Sequence, residues 1–250
     1  MGRVLVIGDI HGARRALDQL LLRAGVTSND SLVFLGDYVD GWSESASVLG
    51  QLLTLQRRQQ CIFIKGNHDV WCEEWLRSGA TNPTWLGHGG LATIDSYKHF
   101  NQSERETQLQ FLEQMPFYYI DSKNRLFIHA GFTNPQGPEQ EFTQPGFTWD
   151  RTLWKAALGE SPRQERSSPH YPQRLAAFEE IFIGHTPTLH YQKMEPMLAA
   201  NVWNMDTGAG FHGKLSMMDV DSKEVWRSDL VPALYPGEPG RRLNTQFQVD

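Results

Sequence analysis

Cysteine is scarce in this chain: two residues in 250, Cys61 and Cys72. Their spacing matches no metal-binding pattern, and so few thiols fit a reducing cytoplasm. Cys61 opens an apolar run and reads as a buried thiol. Long hydrophobic runs are missing as well. No stretch approaches the roughly eighteen apolar residues of a membrane span. Val4-Leu5-Val6-Ile7 is too short for a signal peptide before polar residues follow. The expected setting is therefore cytoplasmic, with no membrane partner. Basic stretches are absent too, and the formal net charge is -6. That balance argues against non-specific nucleic-acid binding, for want of a surface to neutralise a phosphate backbone. A phosphorylated substrate stays open, because bound divalent cations reverse the local field whatever the total charge. Internal repeats and low-complexity segments are also lacking.

What is present is an ordinary globular composition, 40% hydrophobic and 21% charged. Residues 1–250 are read as one domain. Arg3–Gly8 predicts a first strand. Ala13, Ala16, Leu17, Leu20, Leu21 and Ala24 at helical spacing predict a helix closed by Gly25. A second strand is expected over 31–36, a helix over about 44–58, and a third strand at Cys61–Ile64. Such a β-α-β-α-β run implies a largely parallel sheet with right-handed crossovers. Residues 70–116, with Trp71, Trp75 and Trp85, predict a helical elaboration in which Ser103 and Glu106 form a capping box. Phe117–Ile120 and Leu126–His129 predict a hairpin, and a short helix is expected near Arg151–Leu158 within a proline-rich loop. Further strands are expected at Ile181–Gly184, Trp203–Met205, Lys214–Val220 and Glu224–Leu230. Residues 231–250, rich in proline, glycine and polar groups, predict a loosely packed tail.

Chemistry follows from how the apolar runs end. The polar residues after them are Asp9 and His11, Asp37 and Asp40, Asn67 and His68, His129, and His185. Open α/β sheets place their sites at the carboxyl ends of strands, so these groups should converge, with Asp37 at the centre. Asp9 and His11, at i and i+2, share a face and can grip one ion together. Asn67 and His68 are adjacent and should point to opposite sides, one to metal and one to substrate. Carboxylate, imidazole and amide oxygen without thiolate suit manganese, iron or zinc. One such histidine would read as a core or surface residue; five ligand-type clusters, four of them directly after β-rich apolar runs, do not. Two other patterns fail on their own terms. Asp206-Thr207-Gly208 looks like an aspartic-protease signature, but that chemistry needs two such aspartates. Gly208 to Lys214 nearly spells a P-loop, but Leu215 replaces the required hydroxyl and strand-like residues follow.

Gly8-Asp9-Ile10-His11-Gly12, Gly36-Asp37-Tyr38-Val39-Asp40 and Gly66-Asn67-His68-Asp69 resemble, in order, the three signature motifs of the calcineurin-like metallophosphoesterases. More narrowly they resemble the phosphoprotein phosphatase branch of bacterial and bacteriophage-lambda type. His129-Ala130-Gly131, Gly184-His185-Thr186 and Asn204–Gly210 match its later motifs. The resemblance implies a four-layer α/β/β/α sandwich with two divalent cations, Mn2+ foremost and Fe or Zn as alternatives. Asp9 and His11 would hold the first ion, Asp37 would bridge, and Asn67, His129 and His185 would hold the second, with Asp206 as a supporting residue. It also implies attack by a metal-activated hydroxide, His68 as general acid, and Asp40 as the carboxylate that orients it. Asn67 and Arg151 would contact the phosphate. Trp149-Asp150-Arg151 resembles the branch's Trp-x-Arg motif, whose planar fork matches phosphate oxygens two at a time.

One departure stands out. The branch continues its second motif as Asp-Arg-Gly, where this chain has Asp40-Gly41-Trp42, with Ser45 still in register. A phosphate-binding arginine is thus missing, a loss of about 1.5–3 kcal/mol for a charged hydrogen-bonding fork. Trp42 is expected to line the substrate groove, and Lys65 or Arg77 to restore part of the charge. The expected activity is hydrolysis of phosphate monoesters on serine, threonine or tyrosine of proteins. The alternatives are a dinucleoside polyphosphate hydrolase or small-molecule phosphatase, with Trp42 stacked on a base, and a binding module that kept the fold without activity. Oligomeric state is not specified by the sequence.

Overall fold

A computed structural model describes residues 2–161 and 165–242. Strands β1 (Val4–Ile7), β2 (Ser31–Phe34) and β3 (Cys61–Phe63) lie side by side and parallel. Their crossovers carry helices α1 (Arg14–Arg23) and α2 (Ser45–Gln56). A second sheet holds β4 (Tyr118–Ile120), β5 (Arg125–Ile128), β6 (Glu180–Ile183), β7 (Met197–Ala199) and β8 (Val202–Asn204), in the order β4-β5-β6-β8-β7. Within it β5, β6 and β8 are parallel. The chain then returns to the first sheet, where β9 (Ser216–Asp219) and β10 (Val225–Arg227) pair antiparallel beside β1.

The parallel strands are apolar on both faces because both faces are covered. Leu5 and Ile7 of β1 pack against Ala16, Leu17 and Leu20 of α1 and Val48, Leu49 and Leu52 of α2. Val6 and Val33 point the other way, onto Phe127, Phe182, Met205 and Met218 between the sheets. There Phe127 and Phe182 stack with ring centroids 5.0 Å apart. Leu126, Ile128, Ile181 and Ile183 face outward again, onto Leu153, Trp154, Leu175 and Phe178. The layers are therefore helix, sheet, sheet, helix, the arrangement expected from the sequence.

Several boundaries shift. The strands stop one or two residues early, because the glycine and ligand-type residues after them turn out of the sheet. The expected capping box is displaced: Asn101 and Glu104 make it, with Asn101 Oδ1 accepting from Glu104 N at 3.0 Å and Glu104 Oε2 from Asn101 N at 2.8 Å. Asparagine caps as well as serine does, and the helix Gln102–Glu113 takes the earlier site, leaving Ser103 in its first turn. Helix α3 (Asn67–Ser78) begins on the third motif itself, and short helical pieces fill 83–96 before the next long helix. Strand β7 carries no alternating signal, being a three-residue edge with Leu198 53% exposed. The tail differs most. Val231–Leu234 is a helical turn, and residues 235–241 pack onto the body of the molecule; the rest of the expected tail, 243–250, lies outside the described residues.

Candidate metal and phosphate site

Both sheets deliver their polar groups to one place. Asp9 and His11 follow β1, Asp37 and Asp40 follow β2, and Asn67 and His68 open α3 after β3. From the second sheet come His129 after β5, His185 after β6 and Asp206 after β8. The backbone is bent to aim them: His11, Asp37, Asp40 and His185 all have positive φ, between 52° and 70°. Non-glycine residues persist there only where surrounding contacts over-determine them, as at functional sites. Two glycines make the close approach possible. A Cβ on Gly66 would lie 2.2 Å from Asp37 Oδ1, and one on Gly184 would lie 2.0 Å from Asp9 Oδ1.

Two ion-sized groups share Asp37, one formed with His11 and His68 and one with His129 and His185. Asp37 Oδ2 lies 3.6 Å from His11 Nε2, 4.0 Å from His68 Nε2 and 3.4 Å from His129 Nε2. Asn67 Oδ1 sits 3.1 Å from His129 Nε2 and 2.9 Å from His185 Nδ1. Asp9 stands beside the first group, its Oδ2 4.0 Å from His11 Nε2 and accepting from the His185 backbone N–H at 3.0 Å. Tautomers follow from the outer partners. His11 Nδ1 faces the Val39 carbonyl at 3.0 Å and His129 Nδ1 the Leu35 carbonyl at 2.8 Å, and a carbonyl only accepts. Both Nε2 atoms therefore point inward, toward the position a cation would take.

The charges of the cluster are divided: burial raises Asp9 well above the usual carboxylate range, and against its own burial His129 is lifted to about 10 by Asp37. Burial pushes His11 and His185 well below their ordinary range, into the neutral form that can donate a lone pair. Burial alone would raise Asp37, but the imidazoles of His129, His68 and His11 outweigh it and hold the carboxylate well below its usual range. Asp9 Oδ1 and His185 Nε2 are buried with no hydrogen-bond partner among the described residues. Orphaned acceptors in a cluster of carboxylates, imidazoles and an amide oxygen fit divalent cations.

His68 is oriented from behind. Its Nδ1 lies 2.6 Å from Asp40 Oδ2, which leaves Nε2 toward the cavity. Asp40 is wholly buried and is itself fixed by Trp85 Nε1 at 2.8 Å and by the Thr93 hydroxyl at 2.6 Å. Neither Trp85 nor Thr93 is singled out by sequence. Trp85 reads only as part of a helical elaboration, and Thr93 gives no signal in a short helix 53 residues away from Asp40.

A cavity of about 250 Å³ opens over the cluster, lined by Asp37, Asn67, His68, Trp149, Arg151 and Arg241 among others. The expected Arg151 is there, and so is Trp149, 40% exposed and packed edge-on to Trp71 and His185. Three other expectations fail. Trp42 does not line the groove: it is fully buried, donates from Nε1 to the Ala209 carbonyl at 2.7 Å, and stacks on Tyr235. Lys65 is held by Glu73 at 2.6 Å, and Arg77 is bound to Glu73 and Glu113 on the exposed end of α3. Neither lines the cavity.

A two-sheet sandwich with a histidine, carboxylate and amide cluster at the strand ends defines a metallophosphoesterase. The chain belongs to the calcineurin-like phosphoesterase family, whose model matches residues 2–194. A bis(5'-nucleosyl)-tetraphosphatase PrpE of the asymmetrical type from Oceanobacillus iheyensis is 24% identical over 237 residues, covering 89% of this chain and 90% of that protein. Among solved structures, one described as a candidate diadenosine tetraphosphatase aligns with a TM-score of 0.62 at 22% identity, over 90% of this chain and 92% of its own. The cold-active protein-tyrosine phosphatase of a psychrophilic Shewanella aligns with a TM-score of 0.58 at 15% identity, over 92% and 81%. These structural likenesses establish the shared fold.

Proposed function

We propose that this chain hydrolyses dinucleoside polyphosphates, breaking a phosphoanhydride bond of the bridge. The carrying observation is the wall of the cavity. Arg151, Arg241 and Arg242 line it together with Trp149 and Phe211, directly over the histidine and carboxylate cluster. Several guanidinium forks beside aromatic faces suit a chain of phosphates ending in nucleosides, since every base has a face that can stack. The similarity to PrpE proteins supports the same reading. Phosphoprotein hydrolysis, first in line on the motifs alone, gives way to it.

Asp9, His11, Asp37, Asn67, His129 and His185 are the residues that would hold two cations. Divalent ions there neutralise phosphoryl charge and make water a usable nucleophile near neutral pH. The residues do the rest. Arg151 and Asn67 hold the attacked phosphate in line. Burial and the Arg241 charge lower His68, and Asp37 and the Nδ1 hydrogen bond to Asp40 oppose them. As the P–O bond breaks, the protonated imidazole would pass its Nε2 proton to the leaving oxygen.

A substrate panel tests this: diadenosine tetraphosphate, phosphoserine and phosphotyrosine peptides, and p-nitrophenyl phosphate, each with added Mn2+ and with EDTA. The dinucleoside should give the highest kcat/KM, with EDTA abolishing turnover. Faster turnover of the phosphopeptides would overturn the substrate, and turnover indifferent to EDTA would overturn the metal site.

A further inference from the structure

We infer that Arg241 supplies the phosphate-binding guanidinium that position 41 lacks. The inference deepens the phosphoesterase reading and needs only a phosphoryl group in the cavity. Gly41 leaves a space, and Arg241 fills it. A Cβ built on Gly41 would lie 3.2 Å from Arg241 Cγ and 3.4 Å from its Cδ. The arginine stem thus occupies the path a side chain from position 41 would take. Its guanidinium lies over the Phe211 ring at 4.8 Å, lines the cavity with Asp37, His68 and Arg151, and reaches 2.8 Å from His11 Nε2. Its Nε is buried without a hydrogen-bond partner among the described residues, a donor awaiting an acceptor.

The neighbouring substitution explains how so distant a residue is held. Trp42 stands where the branch has glycine, and its indole is the platform for the tail. Tyr235 stacks on it at 5.2 Å, and Gly240 lies so close that a Cβ there would be 2.7 Å from the ring. Ser43 fixes Glu238 through its backbone N at 3.0 Å and its hydroxyl at 2.8 Å. Arg241 N then donates to the Gly210 carbonyl at 2.8 Å. The changes at 41 and 42 are thus one exchange: glycine vacates the space, and tryptophan seats the segment that refills it. His11 accepts from Arg241 with the lone pair that would also ligate a cation. Guanidinium and cation could not share that pair, so a cation held by His11 would release Nη1 to a phosphate.

The test compares Arg241→Ala, Arg241→Lys and Arg77→Ala in the full chain. Calorimetry would follow binding of inorganic phosphate and of a methylene-bridged dinucleoside tetraphosphate, with metal content measured by mass spectrometry. Removing a charged fork should weaken phosphate binding about 10- to 100-fold in Arg241→Ala, with Arg241→Lys recovering part of the loss. Metal content and Arg77→Ala affinity should match the parent. Arg241→Ala binding within about twofold of the parent at equal metal content would overturn the inference, as would a loss of affinity that simply tracks lost metal. If phosphopeptides prove the better substrate while Arg241→Ala still loses phosphate, the substrate class falls and the role of Arg241 stands. If the dinucleoside is confirmed and the variant binds as tightly, only the role of Arg241 falls.

Discussion

Asp69 offers no group to the cavity, yet two motif loops end on its carboxylate. Oδ2 accepts from Asp37 N at 2.7 Å and from Gly66 N at 2.8 Å, while Oδ1 accepts from Tyr38 N at 2.9 Å. The residue is fully buried, so three backbone donors depend on it. Asp69→Asn keeps the shape but turns an NH2 toward at least one N–H and removes the charge. Stability should fall by about 1.5–3 kcal/mol, read as a lower urea midpoint. An unchanged midpoint would show that the two loops hold each other without it. The sequence displays Asp69 as the last letter of a motif and gives no hint of this duty. The residues proposed as ligands were legible because each follows an apolar strand with a recognisable donor atom. A residue that serves backbone amides carries no such pattern, and Thr93 behind Asp40 is hidden for the same reason.

At the level of elements, the mouth of β1 is tied to the mouth of β2 by one ion pair. Arg3 Nη2 meets Asp30 Oδ2 at 2.8 Å, and Asp30 also accepts from the Arg3 and Thr27 backbone N–H groups. The Arg3 hydrogen bond, opposed in part by burial, holds the Asp30 carboxyl well below its ordinary range. A lowered folded-state pKa stabilises above the unfolded value, near 3.9, and that contribution is lost as pH falls below it. Asp30→Asn should therefore be less stable than the parent at pH 6, and the gap should narrow by pH 3. Urea midpoints at the two pH values decide it; a gap that is the same at both would remove Asp30 from the account. The elements themselves were readable because β1, β2, β3 and β6 are short apolar runs closed by glycine. Where that contrast fades, reading failed. Edge strand β7 lacks it, and the cap at Asn101 competed with an equally plausible serine two residues on.

Across the whole molecule, the proposed ligand set is divided between the sheets. Asp9, His11, Asp37 and Asn67 come from the first, and His129 and His185 from the second. Cations held by both halves should clasp them. At a hundredfold excess over Kd, bound metal adds about 2.7 kcal/mol, which for a chain of this size raises Tm by roughly 5–10 °C. Calorimetry of the Mn2+-loaded and EDTA-treated protein should show that difference; coincident transitions would mean that the folded chain binds no metal at this site. The tail was the least legible part at this scale. Proline, glycine and polar residues look alike whether a segment is solvated or seated, and the partners that seat 235–241 lie some two hundred positions earlier.

That separation bears on how such a chain can change. Arginine at position 41 would complete the branch motif that this chain resembles, yet Gly41 has φ +121° and its side-chain path is already taken by Arg241. The completed motif would be a damaging mutation here, and alanine at 241 would be damaging by itself. Removing the Arg241 side chain would relieve the crowding at position 41 but not its backbone conformation, which glycine alone adopts without strain.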